Sequence, residues 1–510
     1  MYSKTKTASL LGLEGKEIEV ESDINRGLPA FNIVGLPDSS IKESKERVRV
    51  ALINSGYRFP DGRITINLSP ADLKKEGTQL DLPIAISLLS SMGIIKQIEN
   101  DNFIFIGELA LDGRIMPVRG ALAMVISMRE LGYKHFIVPS VNKNECSLVK
   151  DVEIYPFEKL TDLIKFLNKE EKISPYKNDE EFFTKEKNFD FDFSDIKGQD
   201  NLKRAMQIAA AGSHNMLIIG PPGSGKTMAA KRIPTILPDL SFEESIECTK
   251  IYSIMGLLED GKLITQRPFR SPHHSASNVS LLGGGNGIPK PGEITLAHNG
   301  VLFLDELPEF QKTTIESLRE PLENHEINIS RSVASVKFPS KFILIAAMNP
   351  CPCGNLGNPN KECTCSQSEI SRYLGKISTP ILDRIDMHIE VSPVKYDDLV
   401  SNSKSKSSSE MKKEVIMARK KQEIRYKNEK INTNGELNSK LIKKYIALND
   451  DLNKIIKMAF NKYRFSARSF DKILKMARTI ADLDNSENLE SKHLLEAIRY
   501  RSSDEKYWGN

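Results

Sequence analysis

GPPGSGKT, residues 220–227, fits G-x-x-x-x-G-K-[ST], the pattern of a phosphate-binding loop. NMLII at 215–219 reads as a short buried strand before it, and MAAKRIPTIL at 228–237 reads as a helix after it. Strand, loop and helix in that order form the context in which such a loop holds a nucleotide. Gly220, Gly223 and Gly225 let the backbone curl so that its N–H groups face phosphate oxygens, with Pro221, Pro222 and Ser224 completing the cradle. Lys226 supplies a point charge for the β- and γ-phosphates of ATP, and the Thr227 hydroxyl can ligate Mg²⁺. The alternative, a glycine-rich turn without a ligand, leaves the flanking strand and helix unexplained.

Two further strands support the nucleotide reading. In GVLFLDELPEF, 300–310, four apolar residues form a buried parallel strand that ends in Asp305 and Glu306. An acidic pair at the carboxyl end of such a strand faces the phosphate loop. Asp305 would hold Mg²⁺ through water, and Glu306 would orient the attacking water. A capped surface turn is the competing reading. KFILIAAMNP, 341–350, is a third apolar strand and ends in Asn349, a neutral amide that can touch the γ-phosphate or its water. Arg384 stands in STPILDRIDMHIE between Asp383 and Asp386, where an arginine by itself reads as a surface ion pair. Arg468 opens an apolar-faced helix in SARSFDKILKMARTIADL.

The phosphate loop, DE-ended strand, Asn-ended strand, LDR arginine and SAR arginine follow one another in an order that resembles AAA+ ATPases. More narrowly, RPFRSPHHSAS (267–277), GEITLAHNGVLFLDELPEF (292–310), AMNPCPCG (347–354) and SARSFDKILKMARTIADL (466–483) resemble the magnesium-chelatase-like ComM/YifB family, with the likeness running from about residue 5 to 502. The resemblance implies that Arg384 is an arginine finger given to a neighbouring subunit's ATP, and Arg468 the second sensor arginine. Such a finger is worth about 10³–10⁵ in rate. It also implies a homohexameric ring.

The 510 residues are 39% hydrophobic and 27% charged, an ordinary composition for a soluble multidomain chain. A net charge of +4 is too small for a generally basic nucleic-acid binder, so any DNA site must be a local patch. The apolar run near the N-terminus is broken by Glu14 and makes a poor signal peptide. No run approaches the 18 apolar residues a membrane span needs. Four of the six cysteines crowd between 351 and 365, which points to a reducing cytoplasm rather than a disulfide framework.

Those four, Cys351, Cys353, Cys363 and Cys365, form CPC, nine intervening residues and CTC. Four thiolates could close a tetrahedral zinc site, although C-x-C is tighter than the usual C-x₂-C. Reduced free thiols are the alternative. Nearly 70 residues separate the first helix from Asp305, longer than a simple crossover needs. In the chelatase-like clade this region resembles a helix-2 insertion. It carries Arg267, Arg270, His273 and His274, with a loop role or a hydrogen bond favoured over metal because no third ligand stands nearby. EINISRSVASVKF, 326–338, alternates apolar and polar residues and reads as a hairpin turning near Arg331 and Ser332. It resembles the clade's pre-sensor hairpin, which points into the ring pore and would turn Arg331 and Lys337 toward an encircled polyanion.

FIGELALDGRIMPVRGALAMVISMRELGYKHFIVP, 105–139, resembles the proteolytic domain of Lon and the matching domain of RadA. A Lon-type protease needs a Ser–Lys dyad. The corresponding loop reads KKEGTQLDLPIAI, without serine, and 118–128 carries no lysine, so no route to an acyl-enzyme exists. The expected fold is α/β and multidomain. A Lon-like, ribosomal-S5-type α+β domain occupies 1–168 and a charged linker 169–192. An AAA+ core with helix-2 insert and pre-sensor hairpin spans 193–395, a flexible low-complexity linker 396–415, and a helical lid 416–510. The expected function is an ATP-driven motor that migrates branched or single-stranded DNA during natural transformation. Protein remodelling and a metal-chelatase motor remain the alternatives.

Overall fold

The computed structural model describes residues 2–96, 103–177, 189–259, 261–285, 287–331, 334–394, 405–463 and 465–508, without the side chains of 503–505. The chain begins as a long antiparallel hairpin, β1 (Tyr2–Leu11) and β2 (Glu14–Asn25), turned by Gly12 at φ +65°. Alternating apolar residues such as Ile18 and Val20 face the core. With β3 (Ala30–Val34), β4 (Arg63–Ser69), β5 (Phe103–Phe105), β6 (His135–Pro139) and β7 (Glu153–Phe157) it makes a seven-stranded mixed sheet, in the order β3-β4-β2-β1-β5-β6-β7. Helix α1 (Ser39–Asn54) starts at Asp38, whose carboxylate accepts from the Ile41 N–H. Helix α2 (Asp81–Ser91) is apolar nearly all round and buried against β1 and β2. Its Asp81 is fully buried and is held by a bidentate bond from Arg47 at 2.7 and 3.0 Å. The loop before α2 is tied down by Lys75, which donates to the carbonyls of Gly35 and Pro70. Helix α3 (Ala121–Glu130) covers β2 and also packs on a helix of the second unit.

The second unit is a five-stranded parallel sheet. Its strands are β8 (Met216–Ile219), β9 (Phe269–Arg270), β10 (Val301–Leu304), β13 (Ile343–Met348) and β14 (Met387–Glu390), in the order β9-β10-β13-β8-β14. Strands β11 (Glu326–Ser330) and β12 (Ser335–Pro339) stand apart from it as an antiparallel hairpin. MLII, VLFL and ILIAAM are wholly buried, as strands covered on both faces must be. Their side chains alternate between two cores. Met216, Ile218, Phe303 and Ile345 join the helical side, while Leu217, Ile219, Leu302 and Leu344 join the hairpin and Cys351.

Helix α4 (Asp200–Gly212) precedes β8, and α5 (Lys226–Arg232) follows the phosphate loop. The sequence predicts a helix over 228–237. The observed one starts two residues earlier and gives way at Ile233–Thr235 to a 3₁₀ turn, because Pro234 has no N–H to extend it. Helix α6 (Phe242–Met255) packs against α3 of the first unit. Helices α7 (Asn278–Leu282), α8 (Arg319–Asn324) and α9 (Thr379–Leu382) are short connectors.

The stretch expected to be a flexible linker up to 415 is partly helical. Residues 396–404 lie outside the described residues, but α10 (Ser408–Arg425) begins at once with a capping box between Ser407 and Glu410. Ser408 is buried, and its hydroxyl accepts from the Phe193 N–H at 2.9 Å. Composition drew attention to the serines, whereas the S-x-x-E spacing carried the structural information. The expected charged linker is likewise anchored at both described ends. Tyr176 donates to Ile154 O, and Asp192 caps the turn at Phe193–Asp195. Helices α10, α11 (Ala467–Leu483) and α12 (Ser491–Arg499) pack together and against α4. No described helix is long and apolar enough to cross a membrane.

Candidate functional site

The phosphate loop leaves β8 at the carboxyl edge of the parallel sheet, where the chain must turn sharply. Gly223 and Gly225 take φ +76° and +86°, values in the left-handed region that favours glycine. A Cβ built on Gly223 would meet nothing within 4 Å, so the loop frames open space rather than protein. Ser224 Oγ closes the turn on Pro221 O at 2.8 Å. Lys226 is buried, and its Nζ donates to Gly220 O at 2.7 Å, Pro221 O at 2.9 Å and Asn349 Oδ1 at 3.2 Å. Burial pushes its pKa down, while Asp305 and Glu306 push it back up.

The DE pair follows β10, two strands along the same edge. Thr227 Oγ1 donates to Asp305 Oδ2 at 2.6 Å. Glu306 adopts φ +52°, a sparsely populated conformation for a non-glycine residue, and its N–H donates to Asp305 Oδ1 at 3.0 Å. Asn349 follows β13, which lies between β8 and β10, so it sits between the loop and the acids. One edge therefore brings together Lys226, Thr227, Asp305, Glu306 and Asn349. The sequence did not show that His274 joins them. Its Nδ1 lies 3.3 Å from Glu306 Oε2, and its ring lies 4.0 Å from that of His273. Arg267 and Arg270 are tied elsewhere, to Glu244 and Glu293.

Arg384 and Arg468 are placed at the opposite edge. Arg384 precedes β14, whose Met387 pairs with Met216 at the start of β8, and the Arg384 carbonyl accepts from Asn215 Nδ2. From Asn215 to Gly220 a strand rises roughly 16 Å, so neither arginine shares the phosphate loop's edge. Both line a cleft of about 410 Å³ together with Lys341, Asp383, Lys472 and Glu436. There Arg384 Nη1 donates to Pro380 O at 2.7 Å and Nη2 pairs with Glu323, while Arg468 is largely exposed, 3.9 Å from Asp383.

The four cysteines converge. Cys351 Sγ lies 3.4 Å from Cys353 Sγ and 3.6 Å from Cys363 Sγ, and all four sulfurs fall within 4.8 Å of one another. These are free thiols, since a disulfide would bring two sulfurs to about 2.05 Å. Tetrahedral Zn–S bonds of about 2.3 Å would set the sulfurs about 3.8 Å apart, so the donor set fits zinc. Among the described residues this is the one cluster of three or more such groups able to share an ion, and the histidine pair is not part of it. The N–H groups of Asn355 and Thr364 hold the Cys353 thiol well below its usual range. The turn also touches the nucleotide edge, because a Cβ on Gly354 would meet Pro222 Cδ at 2.6 Å.

The expected hairpin forms, with Ser330 opposite Ser335 and Ile327, Ile329, Val336 and Phe338 inward. Arg331 is exposed at the turn, and Lys337 faces outward, 3.2 Å from Glu326. Ser332 lies outside the described residues. In the first unit, the loop that would carry a Lon nucleophile holds Thr78, bonded to Glu108, and Gln79, bonded to Glu76 O.

A parallel sheet with these motifs, followed by packed helices, defines a protein of the magnesium-chelatase-like AAA+ class. The family descriptions agree: residues 192–399 match magnesium chelatase, subunit ChlI; 20–142 match subunit ChlI of Mg-chelatase; and 405–501 match the subunit ChlI C-terminal region. The chain is 41% identical over 500 residues to competence protein ComM of Haemophilus influenzae, covering 96% of each protein. It is 42% identical over 502 residues to YifB of Salmonella typhimurium, covering 98% of this chain and 96% of that one. A magnesium-chelatase 38 kDa subunit of Rhodobacter capsulatus is 24% identical over 178 residues, 31% of this chain and 50% of that protein. The chain belongs to the ComM/YifB family of magnesium-chelatase-like proteins.

Proposed function

We propose that this chain is a cytoplasmic, ATP-hydrolysing ring motor, a homohexamer that migrates branched or single-stranded DNA during natural transformation. The observation that carries the motor reading is the division of the site between two edges of one sheet. Gly220, Pro221, Pro222, Gly223, Ser224 and Gly225 would cradle the phosphates at the carboxyl edge. Lys226 would leave its loop carbonyls for the β- and γ-phosphates. The Thr227 hydroxyl and the Asp305 carboxylate, 2.6 Å apart, would hold Mg²⁺, which neutralises charge on the phosphate oxygens. Glu306 would orient the attacking water and Asn349 would sense the γ-phosphate. Arg384 and Arg468, on the far edge, would complete the site of the next subunit, which requires an oligomer.

DNA as the cargo rests on two supports. One is the relative named a competence protein. The other is the hairpin, with Arg331 at its turn and Lys337 on its outer face. A zinc ion held by Cys351, Cys353, Cys363 and Cys365 would brace Gly354 against Pro222 and so stiffen the phosphate loop. The first unit is read as a non-proteolytic Lon-like domain used for assembly or DNA contact.

The test is migration of a synthetic four-way junction by purified protein with ATP and Mg²⁺, beside Glu306→Gln. Wild type should resolve the junction, and the variant should bind ATP with turnover lower by about 10²–10⁴. ATP hydrolysis that no DNA stimulates and that leaves the junction intact would replace the DNA reading with protein remodelling.

A further inference from the structure

Helix α10 carries two stripes on opposite faces. Met411, Val415, Ala418 and Gln422 repeat at heptad spacing, are buried, and lie on the side that packs against α4 and α11. Two residues on, roughly 200° around the helix, Lys413, Met417, Lys420 and Ile424 repeat with the same spacing and are exposed. Lys427 extends that row just past the helix end, and Lys430 is exposed beyond it.

The carboxylates along the helix are largely engaged elsewhere. Glu410 caps its start, Glu414 is held by Lys406 at 2.8 Å, and Glu429 by Lys444 at 2.6 Å. Lys413, Lys420, Lys427 and Lys430 form no ion pair with a described carboxylate, although Glu410 and Glu423 stand within a turn of the row. The charge is regional as well as local. Residues 405–500 hold 22 Lys and Arg against 13 Asp and Glu, while the rest of the chain holds 50 against 55. The small net charge of the whole chain thus conceals a basic helical region on an acidic body.

The row suits phosphate better than it suits protein. Lysine is depleted in protein–protein interfaces, which are built around a packed apolar centre. Here the apolar members, Met417 and Ile424, are about 10 Å apart with Lys420 between them, so they make no such centre. A DNA duplex presents one phosphate charge for about every 1.7 Å of its axis. Lysines on flexible stems, about 10 Å apart over a row of about 21 Å, can meet that density without a fixed register.

We propose that the exposed face of α10 is a second nucleic-acid surface, separate from the hairpin, that holds the phosphate backbone of duplex DNA without reading its sequence. This surface rests on the reading that DNA is the cargo, and adds where a duplex arm would lie.

The experiment uses full-length protein and a variant carrying Lys413→Gln, Lys420→Gln and Lys427→Gln together. It measures anisotropy of fluorescein-labelled DNA duplexes of unrelated sequence over a range of salt concentrations, with poly-L-glutamate as a second labelled probe. The variant should bind every duplex roughly 10²-fold more weakly at low salt, and its log–log salt slope should be shallower by about 2 to 3, close to one for each lost phosphate contact. ATP turnover without DNA and the sedimentation coefficient should match wild type. Duplex affinity and slope equal to those of wild type would overturn the surface while leaving DNA as the cargo. Lost poly-L-glutamate binding beside unchanged duplex binding would give the row to an acidic protein, and a change in assembly state would give it to a subunit contact. Each of those results also overturns the surface. Wild type that binds no duplex at any salt concentration would remove the DNA reading itself, so the two failures are distinct.

Discussion

The two edges of the parallel sheet are built in opposite ways. At the carboxyl edge every group has a partner within the chain: Lys226 on Asn349, Thr227 on Asp305, Glu306 beside His274. At the amino edge Arg384 leans on Glu323 and Arg468 stands largely in solvent beside an open cleft. On the motor reading proposed above, the first edge would hold the nucleotide and the second would complete a neighbour's site, so that turnover would depend on assembly and an isolated subunit should bind nucleotide without consuming it.

The strongest way to break this contrast is to mix defects. Arg384→Ala should lower turnover by about 10³–10⁵ while nucleotide binding persists. Lys226→Ala chains should be equally inactive through lost binding. Mixed together, they should recover a sizeable fraction of ATPase activity, because the second chain still lends Arg384 to the first. Phosphate release from the mixture is the measurement, and a mixture as dead as its parts would return Arg384 to its own subunit.

The next test weakens the carboxyl edge alone. Purified protein should carry one zinc per chain by elemental analysis. Its removal, or Cys363→Ser, should weaken ATP-analogue binding roughly tenfold, about 1.4 kcal/mol, through the contact of Gly354 with Pro222. Carefully purified protein without stoichiometric zinc would sink the metal site.

The last test concerns the amino edge and acid, and its effect falls on stability while turnover chemistry is left alone. Burial works against the Asp386 carboxylate, but Lys472 and His214 outweigh it and hold its pKa below the usual range. Its contribution to stability is therefore complete above the unfolded value of about 3.9 and is lost as pH falls below that value. Asp386→Asn should cost about 3 kcal/mol at neutral pH, since it leaves the buried Lys472 short of its counter-charge. It should also flatten the acid limb of the stability curve below about pH 4. Denaturant unfolding across pH tests both, with ATP-analogue binding at neutral pH expected to stay unchanged.

What the sequence revealed follows the same division. The carboxyl edge is written in contiguous words: a glycine-rich loop, apolar strands that end in DE and in Asn349, and cysteines in close pairs. Each carries its chemistry and its local geometry together. His274 and Glu306 are 32 residues apart, and nothing in either stretch announces the other. The place of Arg384 follows from β14 pairing with β8, a fact of strand order that no local pattern encodes. Pro234 cut a helix that apolar content had extended, and the Ser407–Glu410 box started one inside a serine-rich run read by composition. Type of element survived these errors because periodicity is set by burial, whereas boundaries are set by single residues.

The turn at Gly12 has a practical consequence. It lies directly on Val336 of the hairpin, Glu76 reaches the Ile288 N–H, and Glu145 accepts from Ser253. The first unit therefore roofs part of the second. A truncation made between them would strip an apolar seam bare at Val336 and leave Glu145 without the Ser253 hydroxyl. The two halves look separable along the chain, yet as building materials they are one casting, and an ATPase core expressed alone would have to be engineered along that seam before it stayed in solution.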